Sequence, residues 1–74
     1  MYMPTEAVAA NTIKTVTVKK IIIKPLALGE ELKITDESDN ILVRGLAIAE
    51  VSFEFPEPKV FTFKCNVDAE VTYE

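Results

Sequence analysis

Seventy-four residues with a net charge of −4, nearly half of them apolar, make one domain at most. One cysteine and no histidine exclude an intrachain disulfide and an ordinary Cys/His zinc site. A chain this short buries only about 60% of the surface its unfolded state exposes, so a closely packed core, an oligomer or docking onto something larger must supplement it.

Residues 1–11 carry Ala7, Val8, Ala9 and Ala10 with little charge and no strand alternation. They are expected to form an N-terminal arm to a β domain spanning 12–74. The opening Met-Tyr-Met-Pro-Thr-Glu lacks the basic and apolar regions of a signal peptide. The expected location is therefore the cytoplasm at synthesis, and a virion if the protein is assembled into one.

Residues 12–24 are rich in β-branched types, which suit a pleated surface. Val16 and Val18 share one face, Ile21 and Ile23 the other. A period-2 pattern that slips by one residue predicts a bulge, here at Lys19-Lys20. Pro25 should stop the strand. The apolar run Ile21–Ile23 lies between lysines and falls far short of the ~20 residues a spanning helix needs, so no membrane partner is expected.

Leu26 to Glu31 read as a connection containing Gly29. Leu32 and Ile34, then Ile41 and Val43, alternate with their neighbours on either side of Asp36-Glu-Ser-Asp-Asn40, which predicts a hairpin. Residues 46–55 predict a strand whose apolar phase slips at Ala49-Glu50, where a second bulge or a sheet corner is expected. Pro56-Glu-Pro-Lys59 reads as a turn, because proline cannot donate to a ladder.

From Phe61 to Tyr73 every odd position, Ala69 included, is apolar and every even one polar. The pattern is that of one half-buried antiparallel strand. Its shortest consistent register sets Phe55 against Phe61, Phe53 against Phe63 and Val51 against Cys65. Thirteen residues would run about 40 Å, long for this domain, so the strand should bend or lie partly on a partner. The expected fold is all-β, a small antiparallel sandwich or barrel of five to six strands.

The residues offer little chemistry. Without histidine there is no Ser-His or Cys-His arrangement, and Cys65 falls on the apolar phase of a strand. The acids fall in turns or on polar strand faces. Asp36, Ser38 and Asn40 have the 1-3-5 spacing of a calcium loop, but Ile41 and Ala47 stand where it needs glycine and an acid. No metal, cofactor or catalytic residue is expected.

Residues 1–25 hold four lysines against one glutamate, a net +3, and residues 26–74 a net −7. An acidic body repels nucleic acid, and the lysine-rich strand lacks the aromatic platforms that stack bases. The lysines instead suit an edge strand or an acidic protein surface. The expected role is a non-enzymatic structural or interaction protein, homo-oligomeric or docked in a larger assembly such as a viral capsid decoration or other virion component. The alternative is a small acidic regulator that binds and inhibits a host enzyme. Candidate partner-binding residues are Val8 in the arm, Lys19, Lys20 and Ile22 in the basic strand, and Val71 and Tyr73 in the overlong final strand.

Overall fold

The computed structural model describes residues 5–74. Six strands, β1 (Thr5–Val8), β2 (Ile13–Pro25), β3 (Glu31–Thr35), β4 (Ile41–Leu46), β5 (Val51–Cys65) and β6 (Ala69–Tyr73), form one antiparallel sheet in the order β1-β6-β2-β5-β3-β4. The sheet curls without closing, so the fold is an all-β half-barrel. Residues 5–8 of the expected arm belong to it: β1 pairs with β6, Val8 opposite Ala69.

Two long strands create the curl. Thirteen extended residues would carry β2 about 40 Å, yet the molecule is only 31 Å along its longest axis. The ends of β2 are also tied to one short connection. The Asn11 amide donates to the Cys65 carbonyl at 2.7 Å, and the Leu26 amide donates to the Asp68 carbonyl at 2.9 Å. Three residue steps cover about 11 Å at most, so β2 must double back. The corner is the bulge expected from the sequence, between Val18 and Lys20. There β2 spends only Lys19 while β5 spends Phe55, Pro56, Glu57 and Pro58. The Lys19 and Lys20 amides donate to the Glu74 carbonyl at 2.8 and 3.3 Å, so the bend leaves neither donor unpaired.

The bulge also turns both apolar phases of β2 inward. Val18 is buried before it, Ile21 and Ile23 after it. Bent strands that switch direction at bulges are the usual corners of packed sheets. One half of the curl is β1, β6, the second half of β2 and the start of β5. The other is the first half of β2, the end of β5, β3 and β4. The core between them contains Phe63, Ile21, Ile23, Leu32, Ile34, Cys65 and Val71, each at most 2% exposed.

Three expectations fail here, for definable reasons. Pro56–Lys59 is not a reversal, and residues 51–55 and 61–65 are not a hairpin. Both segments belong to β5 and pair with β2, Phe53 opposite Ile21 and Phe63 opposite Lys14. The prolines sit at the corner, where β5 has no ladder partner and a missing donor costs nothing. The rings still meet by curling toward one another: the Phe61 centroid is 5.1 Å from that of Phe53 and 5.6 Å from that of Phe55. Second, residues 61–73 break at Asn66–Asp68. An odd number of connecting residues preserved the parity, and Val67 is buried in the connection itself. Third, the slip at Ala49-Glu50 is the crossing from β4 to β5, not a bulge, and Leu46 ends β4.

The β3–β4 hairpin forms as expected, with Ile34 opposite Val43 and Thr35 opposite Ile41. Asp36 organises its turn. One carboxylate oxygen accepts from the amides of Ser38 and Asn40 at 2.8 and 2.9 Å, the other from Asn40 Nδ2 at 3.1 Å. These donors, the Asn40 amide foremost, lower the Asp36 pKa from its ordinary value. Asp39 takes φ 62°, a left-handed conformation that aspartate tolerates better than most residues.

A pH dependence follows. A depressed folded-state pKa contributes stability above the unfolded value, near 3.9, and loses it as pH falls through the folded value. Asp36→Ala should lower the urea midpoint at pH 7, and the gap from wild type should narrow as pH falls below the ordinary aspartate value. A gap of equal size at pH 7 and pH 2.5 would show that the ionised carboxylate does not hold the turn.

Candidate interaction surface

The six candidate partner residues do not converge. Val8 and Val71 lie inside the curl at 6% and 0% exposure, so they are spent on the chain's own core. Tyr73 is half-buried, and Ile22 is half-buried opposite Thr72 and Ser52. Lys19 is exposed at the corner and Lys20 half-buried beside it. The basic N-terminal segment does find an acid within its own chain. Lys14 Nζ lies 2.6 Å from Glu6 Oε1, and that partner raises the Lys14 pKa.

Apart from β1, the sheet edges are poor templates for an added strand. Lys14, on the free edge of the first half of β2, lies on the inward phase of that strand with Val16 and Val18, and an inward charge is a common edge guard. The start of β5 runs into Pro56 and Pro58. β4 is interrupted by the register shift between Val43 and Ile41. Where β3 lacks a strand partner beyond Cys65, Asn66 substitutes for one. Its Oδ1 accepts from the Lys33 amide and its Nδ2 donates to the Glu31 carbonyl, both at 2.7 Å.

Ile13, Ile41, Leu42 and Val60 are exposed on strands, and a further exposed apolar group lies in and beside the two connections that join the halves of the curl. Residues 26–30 lead from β2 to β3, and residues 47–50 lead from β4 to β5. They are laced together by the Gly29 amide donating to the Ala47 carbonyl at 3.0 Å and the Ala47 amide donating to the Glu30 carbonyl at 2.8 Å. Gly29 makes the first turn possible with φ 87°, where other residues are strained. Ala47 is fully buried by this lacing, while Leu26, Leu28, Leu46 and Ile48 project at 53, 68, 65 and 73% exposure.

Lys24, Pro25, Leu26, Leu28, Ile48, Ala49 and Glu50 line a shallow groove of about 380 Å³. On the other side of Leu26 lies a second groove of about 330 Å³, lined by Ala7, Val8, Ala9, Asp68 and Ala69. Leu26 thus forms a ridge between two apolar hollows. Isolated exposed leucines are ordinary, but a contiguous group is not. In the sequence these residues read as a connection and as part of a strand. Their signal was three apolar side chains in and beside segments whose backbone geometry needed none.

Chemically active groups are sparse. Burial raises the pKa of the Cys65 thiol, away from the reactive thiolate. No cluster of three metal-ligating side chains occurs among the described residues. The Asp36 carboxylate, first in the calcium-like spacing, accepts from its own turn instead. No known protein family, curated protein or solved structure matches the chain.

Proposed function

We propose that the protein is a non-enzymatic interaction module that docks onto other protein through the apolar lip of Leu26, Leu28, Leu46 and Ile48. The observation that carries this reading is the exposure of Leu26, Leu28 and Ile48 on two connections joined by reciprocal backbone hydrogen bonds, with Leu46 exposed at the end of β4 beside them in sequence. Burying such side chains is worth about 1.5–3 kcal/mol each when complete. Nothing in the fold requires them outside: the buried Ala47 shows that the same loop can turn a residue inward.

A repeated component of a larger assembly, such as a shell decorated by many copies, would use such a lip. So would a regulator bound to a single enzyme, for which the acidic body would add fast, salt-sensitive association. The overlong final strand no longer supports docking, because its length is absorbed by the break at residues 66–68.

The test is photo-crosslinking in cells that produce the protein, with a benzophenone side chain at position 28, 48 or, as control, 17. Thr17 is exposed on the outward phase of β2, away from the lip. Protein adducts should form from positions 28 and 48 and not from 17. Adducts absent from both lip positions, or equally abundant from position 17, would overturn the reading.

A further inference from the structure

The β3–β4 hairpin is tied to the rest of the sheet along a short line. β2 is paired with β5 along Ile13–Val18 and Lys20–Ile23, and with β6 along Ile21–Pro25. β3 meets β5 at Ile34, opposite Cys65, and at Thr35, opposite Lys64, and β4 is an edge strand among the described residues. Beyond those two positions one residue takes the place of a strand. The Asn66 amide donates to the Lys33 carbonyl at 3.1 Å, its Oδ1 accepts from the Lys33 amide, and its Nδ2 donates to the Glu31 carbonyl. A carboxamide carries a donor and an acceptor as a peptide group does, so it can fill both positions. Asn66 and Lys33 border a polar hollow of about 200 Å³, where water can compete for these bonds. A further tie, Lys64 Nζ to Asp39 Oδ1 at 3.3 Å, lies at the surface and contributes little.

We propose that the hairpin, residues 31–46, is a flap that opens as one unit while β1, β2, β5 and β6 stay folded, with Asn66 as its latch. Leu32 and Ile34 on its inner face are buried, so the open state is a minor one. A lifted two-stranded hairpin is marginal by itself, so β3 and β4 lose their structure together. The opening uncovers Cys65, the chain's single cysteine, 1% exposed and opposite Ile34 in the ladder. Asn66 is a positioning residue: it holds a movable cover over one end of the core.

Alkylation of Cys65 by excess iodoacetamide at about pH 8, where an uncovered thiol is partly thiolate, reads the opening. Hydrogen exchange of the Ile21–Ile23 amides, in a segment paired on both sides, reads global unfolding. In the wild-type protein, labelling should run faster than global unfolding permits and depend less steeply on urea. Asn66→Asp keeps the shape of the side chain but removes the Nδ2 donor and sets a carboxylate against the Glu31 carbonyl. Labelling should then rise at least about tenfold. Val8→Ala is the contrast, on β1 at the opposite edge of the sheet. It should speed the amide exchange yet leave labelling unchanged within about twofold, because its surroundings persist when the flap opens. Labelling as steep in urea as the exchange, or equally accelerated by Val8→Ala, would mean that Cys65 is reached only by global unfolding, and there is no flap. Labelling indifferent to Asn66→Asp would overturn the latch.

Discussion

Phe63→Ala is expected to leave this domain at the edge of unfolding. Phe63 is fully buried on the second half of β5, its ring centroid 5.7 Å from that of Phe61. Removing a buried aromatic side chain costs about 3–5 kcal/mol, through lost transfer energy and the cavity left behind. A domain of this length has a total of only about 4–11 kcal/mol, scaled at 0.05–0.15 per residue. The curl has no second core to compensate, since both its halves pack on the same residues. Urea denaturation followed by circular dichroism should show the midpoint falling by half or more. Phe55→Ala provides the contrast. Phe55 is half-buried at the β5 corner with Lys59 Nζ 5.1 Å from its ring centre, and its loss should cost far less. Equal losses for the two would mean that the core is not centred where the two halves of the curl meet.

Phe63 also illustrates what the sequence makes legible. Its alternation with polar neighbours marks a core position whatever strand lies opposite, so the inward faces of β3, β5 and β6 can be read without a structure. The bulge at Lys19-Lys20 is equally visible, because side chains alternate strictly along a regular strand and a slip of one residue needs an irregularity at that point. Pairing partners are not legible in this way. Any antiparallel register of the right parity satisfies the Phe53, Phe55, Phe61 and Phe63 pattern, so the Pro-Glu-Pro segment decided for a hairpin. The premise that these prolines cannot sit in a ladder is correct. It permits a reversal or an unpaired corner, and the corner is chosen because β2 bends at the same level.

The break at Asn66–Asp68 was hidden for a related reason. Val67 keeps the inward parity across the turn, and Asn66 and Asp68 occupy the polar phase they would have in a strand. Both are good turn formers, and with the 40 Å strand they implied, they were the available warning. The exposed apolar group beside the two connections was harder still. Exposure of Leu26, Leu28 and Ile48 depends on two loops far apart in sequence being laced together, which no local pattern records.

The reassignment of the arm makes the second large prediction. If β1 belongs to the chain's own sheet, Val8→Asp should destabilise the isolated protein by about 3–5 kcal/mol, the range found when a buried charge is left uncompensated. Val8 is 6% exposed and pairs with Ala69, with Val71 two residues further along β6. The Lys14 ammonium, the cation assigned to this inner face, is already engaged by Glu6. The introduced carboxylate should therefore have a raised pKa, since desolvation disfavours its charged form. An acid whose folded-state pKa is raised destabilises most above that value and is relieved as it protonates. The loss should accordingly be larger at pH 7 than at pH 4. An arm that served only to reach a neighbour would behave differently: the substitution would spare the midpoint and disturb assembly alone. Measured on dilute protein, where any association is absent, the midpoint separates the two outcomes. An unchanged value would remove β1 from the sheet.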